Sequence, residues 1–163
     1  MATSIDERIL DLIVTKLATI TTGNGYEQTV SSANIWRATS SPQPMESTPP
    51  SLEVRHVDTA MEPHLRGAIE CLMNVVIICS AAYDAADEAI SDLVGDVVKL
   101  VLANKRWNDG SVNLAVRTWM GSPEIHETET GGGVGGDSPT TGAVPFTILF
   151  RVDATNPFAI KEI

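Results

Sequence analysis

Three histidines, two cysteines and one glycine-rich run are the residues of this 163-residue chain whose types could carry chemistry. His56, His64 and His126 are widely dispersed, and the stretch HVDTAMEPH lacks the HExxH spacing that sets two ligands on one helix face, so no zinc constellation is expected. The run Gly131 to Gly136 reads GGGVGG, and glycine-rich backbone can cradle a phosphate. It has neither the lysine nor the Ser/Thr of a P-loop and does not lie between a strand and a helix, so it reads instead as a flexible hairpin tip. No serine sits in a GxSxG context, and neither cysteine has a readable histidine partner. The carboxylates fall mainly on helix faces and chain ends, where solvation accounts for them. No catalytic, cofactor or metal site is expected, and hence no enzymatic activity.

The charge balance points the same way. Against 21 Asp and Glu stand 11 Lys and Arg, a formal net charge of −10, and the basic residues are scattered except for the pair Lys105 and Arg106. Phosphate binding needs a clustered basic footprint, so wrapping of nucleic acid is disfavoured. An acidic surface suits a partner protein, or a wall past which DNA must slide. Cys71 and Cys79 share one apolar run, and on a single strand their Cα atoms would lie about 26 Å apart, too far for a disulfide. They read as reduced core thiols, which fits assembly in a reducing cytoplasm, although either could pair elsewhere. The opening MATSIDERIL has no basic segment leading into an uninterrupted apolar one, so no secretory signal is expected. The longest apolar stretch, near Val75 to Ala82, is too short to span a bilayer, and a soluble protein with no membrane partner is expected.

The elements that would position these residues follow from periodicity. Ser4 with Glu7 forms a capping-box pattern, and Ile5, Ile9, Leu12, Ile13, Leu17 and Ile20 recur at helical spacing. Strands are expected near Thr29 to Ala38 and over LEVRHVD from Leu52. Ala68 to Ser80 is apolar on both parities, which predicts a central strand buried on both faces, with a helix hydrophobic all round as the alternative. A second amphipathic helix runs from about Asp84 to Asn104, with acidic residues in its first turns and Lys105 and Arg106 at its end. Two alternating strands close the chain, one through Val112, Leu114, Val116 and Thr118 and one through Phe146, Ile148, Phe150 and Val152. The order helix, three strands, helix, two strands predicts one α+β domain over residues 1–163, a two-layer fold with a mostly antiparallel five-stranded sheet packed by two helices. Two irregular excursions stand out, at about 39–51 with its prolines and 121–142 with its glycines. Loops of that length suit arms that order on contact with neighbours.

In order and pattern the chain resembles the tail terminator, or tail completion, proteins of tailed phages, a family with no diagnostic catalytic motif. The resemblance rests on ILDLIVTKLATI ending in GNGY, the strand ECLMNVVIIC, the helix AADEAISDLVGDVVKLVL and the closing PFTILFRVDATNPF. It implies a virion protein assembled in the host cytoplasm into a ring, usually six-fold. Such a ring caps the tail tube, stops its polymerisation and joins tail to head. The implied partners are further copies of the chain, the tail tube protein and a head–tail connector or head completion protein, with DNA only passing through the lumen. Subunits of that family extend sheets and loops across neighbours. Candidate contacts are then Pro44 and Pro49 in the first excursion, Gly131, Gly133 and Gly136 in the second, Trp119, and the arginines Arg37, Arg117 and Arg151, which could pair with acidic neighbours. A head completion or connector adaptor protein of the neck is the nearest alternative reading, and a small cytoplasmic ligand-binding domain or enzyme a more distant one.

Overall fold

A computed structural model describes residues 3–38, 49–81, 86–126 and 140–161. Helix α1 spans Ile5–Leu17 and α2 spans Ala86–Ala103. The strands are β1 (Ile35–Arg37), β2 (Ser51–Pro63), β3 (Ala68–Ala81), β4 (Arg117–Met120), β5 (Glu124–His126), β6 (Thr140–Asp153) and β7 (Asn156–Ile160). They form one sheet in the order β1-β2-β3-β6-β4, with β5 and β7 also paired to β6. Only the β1–β2 pair is parallel. The expected α+β class and antiparallel sheet are present, with seven strands where five were expected. No helix among the described residues is long and apolar enough to cross a membrane.

The two additional strands are short edges. β5 falls inside the expected second excursion, and that excursion also gives up its end to β6, which begins at Thr140. β7 is a return hairpin turned by Asp153, whose carboxylate accepts from the Thr155 backbone N–H at 2.8 Å and from Lys161 Nζ at 2.9 Å. Pro157 disguises this strand in the sequence, and proline is tolerated there because the strand lies at an edge.

The expected strand through Val112 and Val116 is a turn instead, with β4 beginning only at Arg117. Asp109 holds the turn by accepting from the backbone N–H groups of Ser111 and Val112, both at 3.0 Å, so a local side-chain acceptor replaces the ladder. Those bonds, with the Ser111 hydroxyl and Arg8, keep the Asp109 carboxyl well below the usual carboxylate range. Similarly, the first expected strand shrinks to Ile35–Arg37, because Ser32–Asn34 wind into a 3-10 turn capped by Ser31. The capping box is not formed either: Ser4 makes no side-chain cap bond, and Glu7 turns away to Arg37.

The core lies between the helices and one face of the sheet. Ile5, Ile9, Ile13 and Leu17 of α1 and Ile90, Leu93, Val97 and Val101 of α2 are buried against Cys71, Met73, Val75 and Ile77 of β3 and Val144, Phe146 and Ile148 of β6. At the closest approach, a Cβ on Gly142 would come within 2.6 Å of Val94 Cγ2, so only glycine lets α2 sit this near β6. Asp96 of α2 is buried and accepts the backbone N–H groups of Glu27 and Gln28 at 3.1 and 2.8 Å, fastening the connection from α1 to β1.

β3 is central, as expected, between β2 and β6, yet its second face is only half-buried. Leu72, Val76 and Ile78 stand there opposite Leu149, Pro145 and Ala143 of β6, and no described helix packs on that side. A polar chain crosses this open face. Asn74 donates to Asp58 Oδ1 at 2.6 Å, and Thr147 donates to Asn74 Oδ1 at 2.7 Å.

Candidate assembly surfaces

The three arginines expected to seek acidic neighbours differ in what they already hold. Arg37, at the end of β1, donates to both carboxylate oxygens of Glu7, at 2.8 and 3.1 Å, and to Asp11 at 3.0 Å. The hydrogen bond to Glu7 is the main cause of its raised pKa, and the same bond lowers that of Glu7. Arg37 thus clamps α1 to the sheet. Arg151 of β6 is engaged as well, with Nε and one Nη both 3.0 Å from Glu70 Oε2. Arg117 alone of the three has no carboxylate among the described residues. Its guanidinium lies over the exposed Trp119 ring, 5.2 Å from the centroid. That stacked pair stands on the open face of β4, opposite Leu149 and Thr147.

Pro49 is half-buried just before β2. Pro44, Gly131, Gly133 and Gly136 lie outside the described residues, as do 39–48 of the first excursion and 127–139 of the second.

The structure also presents two surfaces that sequence periodicity did not single out, one on each side of the sheet. On the first, β1 pairs with β2 only at Leu52, Glu53 and Val54, so the outer side of residues 55–63 carries no strand among the described residues. Among the described residues this is a long open edge, whose backbone donors and acceptors can take another strand. Val57, Met61 and Leu65 lie along it and around the hairpin turn, 60%, 66% and 73% exposed. Asp58 and Glu62 lie between them in the sequence, while Arg55 is neutralised by Glu53 at 2.9 Å. The edge is therefore apolar and acidic.

The second surface is basic. Val116, just before β4, donates its N–H to the Leu149 carbonyl, and Lys161, just after β7, donates its N–H to the Arg151 carbonyl, so the approach to β4 and the end of β7 meet neighbouring stretches of β6 and leave a cleft between them. Its volume is about 310 Å³; its floor includes Leu114, Val116 and Ile160, and its rim carries Arg106, Arg151 and Lys161. The Arg106 guanidinium makes no hydrogen bond or ion pair among the described residues. The one signal in the sequence was the basic pair Lys105 and Arg106, which periodicity accounts for as the end of α2.

Both thiols are buried free cysteines, and burial pushes Cys79 up to about 12. Among the described residues no group of three or more His, Cys, Asp or Glu could hold a metal ion. Comparison with protein-family models gives no match, and comparison with curated proteins gives none either.

Proposed function

We propose that this chain is a virion structural protein, a tail terminator whose copies form a ring on the end of the tail tube, halt its growth and join tail to head. The observation that carries the reading is the pair of unlike surfaces on one sheet: an open acidic edge along β2 and a basic cleft between β4 and β7. A subunit with different, complementary surfaces on its two sides associates head to tail, and such contacts close into rings when the rotation between copies permits. The ring must match the tube on one face and offer the next tube subunit nothing complementary on the other, which makes termination a matter of binding rather than catalysis. A net charge of −10 also suits a lumen through which DNA passes without sticking.

The test is molar mass by light scattering with and without purified tail tubes, followed by negative-stain imaging. Rings, or caps at one end of each tube, are the expected result. A chain that ignores tubes and binds head particles is instead a head completion or connector adaptor protein. Indifference to both overturns an assembly role.

A further inference from the structure

We infer that the cleft between β4 and β7 is a receptor for the β2–β3 hairpin of a second copy, and that Arg106 of one copy pairs with Glu62 of the next. The inference rests on the ring reading and names the contact that would build it.

The cleft is chemically unusual for this chain. Only 11 of its residues are Lys or Arg, and three of them, Arg106, Arg151 and Lys161, meet at this one rim. Two have internal partners, Glu70 for Arg151 and Asp153 for Lys161, so the positive charge of the rim rests on Arg106, whose side chain is unpaired among the described residues. The second Nη of Arg151 has no partner among the described residues. The available donors are thus one free guanidinium and the unused side of another, a combination that favours a carboxylate. The floor asks for something else. Val116 and Ile160 are apolar, and Val116 is 42% exposed, so an occupant that brings apolar side chains would remove this surface from water. At about 310 Å³ the space lies at the small end of ligand pockets, which suits a few inserted side chains.

An occupant must therefore bring both carboxylates and exposed apolar groups, and the outer edge of β2 carries both. Val57, Asp58, Met61 and Glu62 follow one another along it, with Leu65 on the turn beyond. The Glu62 carboxylate makes no hydrogen bond or ion pair among the described residues, and the residue is exposed. A subunit cannot fill its own cleft. β2 lies on one side of the sheet and β4 and β7 on the other, with β3 and β6 between them. The contact must come from another copy, and its two halves differ, as a head-to-tail assembly requires.

Charge reversal tests the pairing in the full chain. The Arg106 and Glu62 side chains both lack partners among the described residues, so R106E and E62R should keep the wild-type melting temperature, and that measurement guards against misfolding. Each single variant is expected to raise the concentration for ring formation at least about tenfold, with the combined R106E/E62R chain recovering most of the loss. Wild-type assembly should weaken with salt, and R106E assembly should depend on it less. Wild-type rings or caps that R106E leaves intact, or single losses that the double variant does not reverse, would overturn this contact and leave the ring reading standing. A wild-type chain that never assembles, with or without tubes, overturns both.

Discussion

Trp107 donates its indole N–H to Thr118 Oγ1 at 3.0 Å, and that hydroxyl in turn donates to the Lys105 carbonyl at 2.9 Å. The indole is fully buried, and its ring stacks on Phe146 with centroids 6.1 Å apart. One threonine therefore satisfies a buried donor and ties the end of α2 to β4. Thr118→Val keeps the shape and removes both bonds. The expected cost is about 1–3 kcal/mol, read as a lower urea midpoint with an unchanged slope.

Gly142→Ala places a methyl 2.6 Å from Val94 Cγ2 and 3.3 Å from the Glu124 carbonyl. A destabilisation of about 1–3 kcal/mol is expected from the overpacking. Adding Val94→Ala removes the nearer clash, so the double variant should be more stable than the sum of the two singles predicts. Strict additivity in that cycle would place the cost elsewhere.

Glu7 owes its lowered pKa first to the Arg37 hydrogen bond. A carboxylate with a depressed folded-state pKa contributes stability that is present above its unfolded value and lost as pH falls through the folded one. The loss should therefore begin below about pH 4.5, the ordinary value for the group. Glu7 is nearly half exposed, so solvent screening keeps the pair within about 0.2–1 kcal/mol. In Arg37→Ala the Glu7 titration followed by NMR should move up toward 4.5, and the acid limb of the stability curve should flatten.

Cys79 is buried, and desolvation pushes its pKa up to about 12. Because the folded value is raised, stability is full below the unfolded thiol pKa and declines as pH rises above about 9. At pH 8 a thiol reagent should label neither Cys79 nor the buried Cys71 in the native chain, and both in urea. Rapid native labelling of Cys79 would show that β3 opens locally.

The two helices and the long strands were legible because each buries a continuous stripe, and a stripe leaves a period in the sequence. Ile5, Ile9 and Ile13 mark α1 in this way, and Phe146, Ile148 and Phe150 mark β6. What escaped were places where a single polar side chain decides the backbone. Asp109 makes a turn of a segment whose valines alternate as a strand would, and Asp153 folds back a β7 that Pro157 hides. The candidate surfaces were legible only in part. Arg37, Arg117 and Arg151 look alike in the sequence, and only the fold shows that Glu7 and Glu70 occupy two of them. The cleft was invisible for a similar reason, since Arg106, Arg151 and Lys161 are gathered by strand pairing and not by spacing.

The ladder between β2 and β3 slips by one residue between His56 and Asp58. An extra residue of this kind bends its strand and sharpens the local twist. A chain laid alongside Asp58 to Glu62 inherits that bend, so each added copy is turned relative to the last and a flat, indefinitely growing ribbon is disfavoured. In the proposed ring, the curvature is thus set in part by Val57, the one residue of β2 that the ladder leaves unpaired.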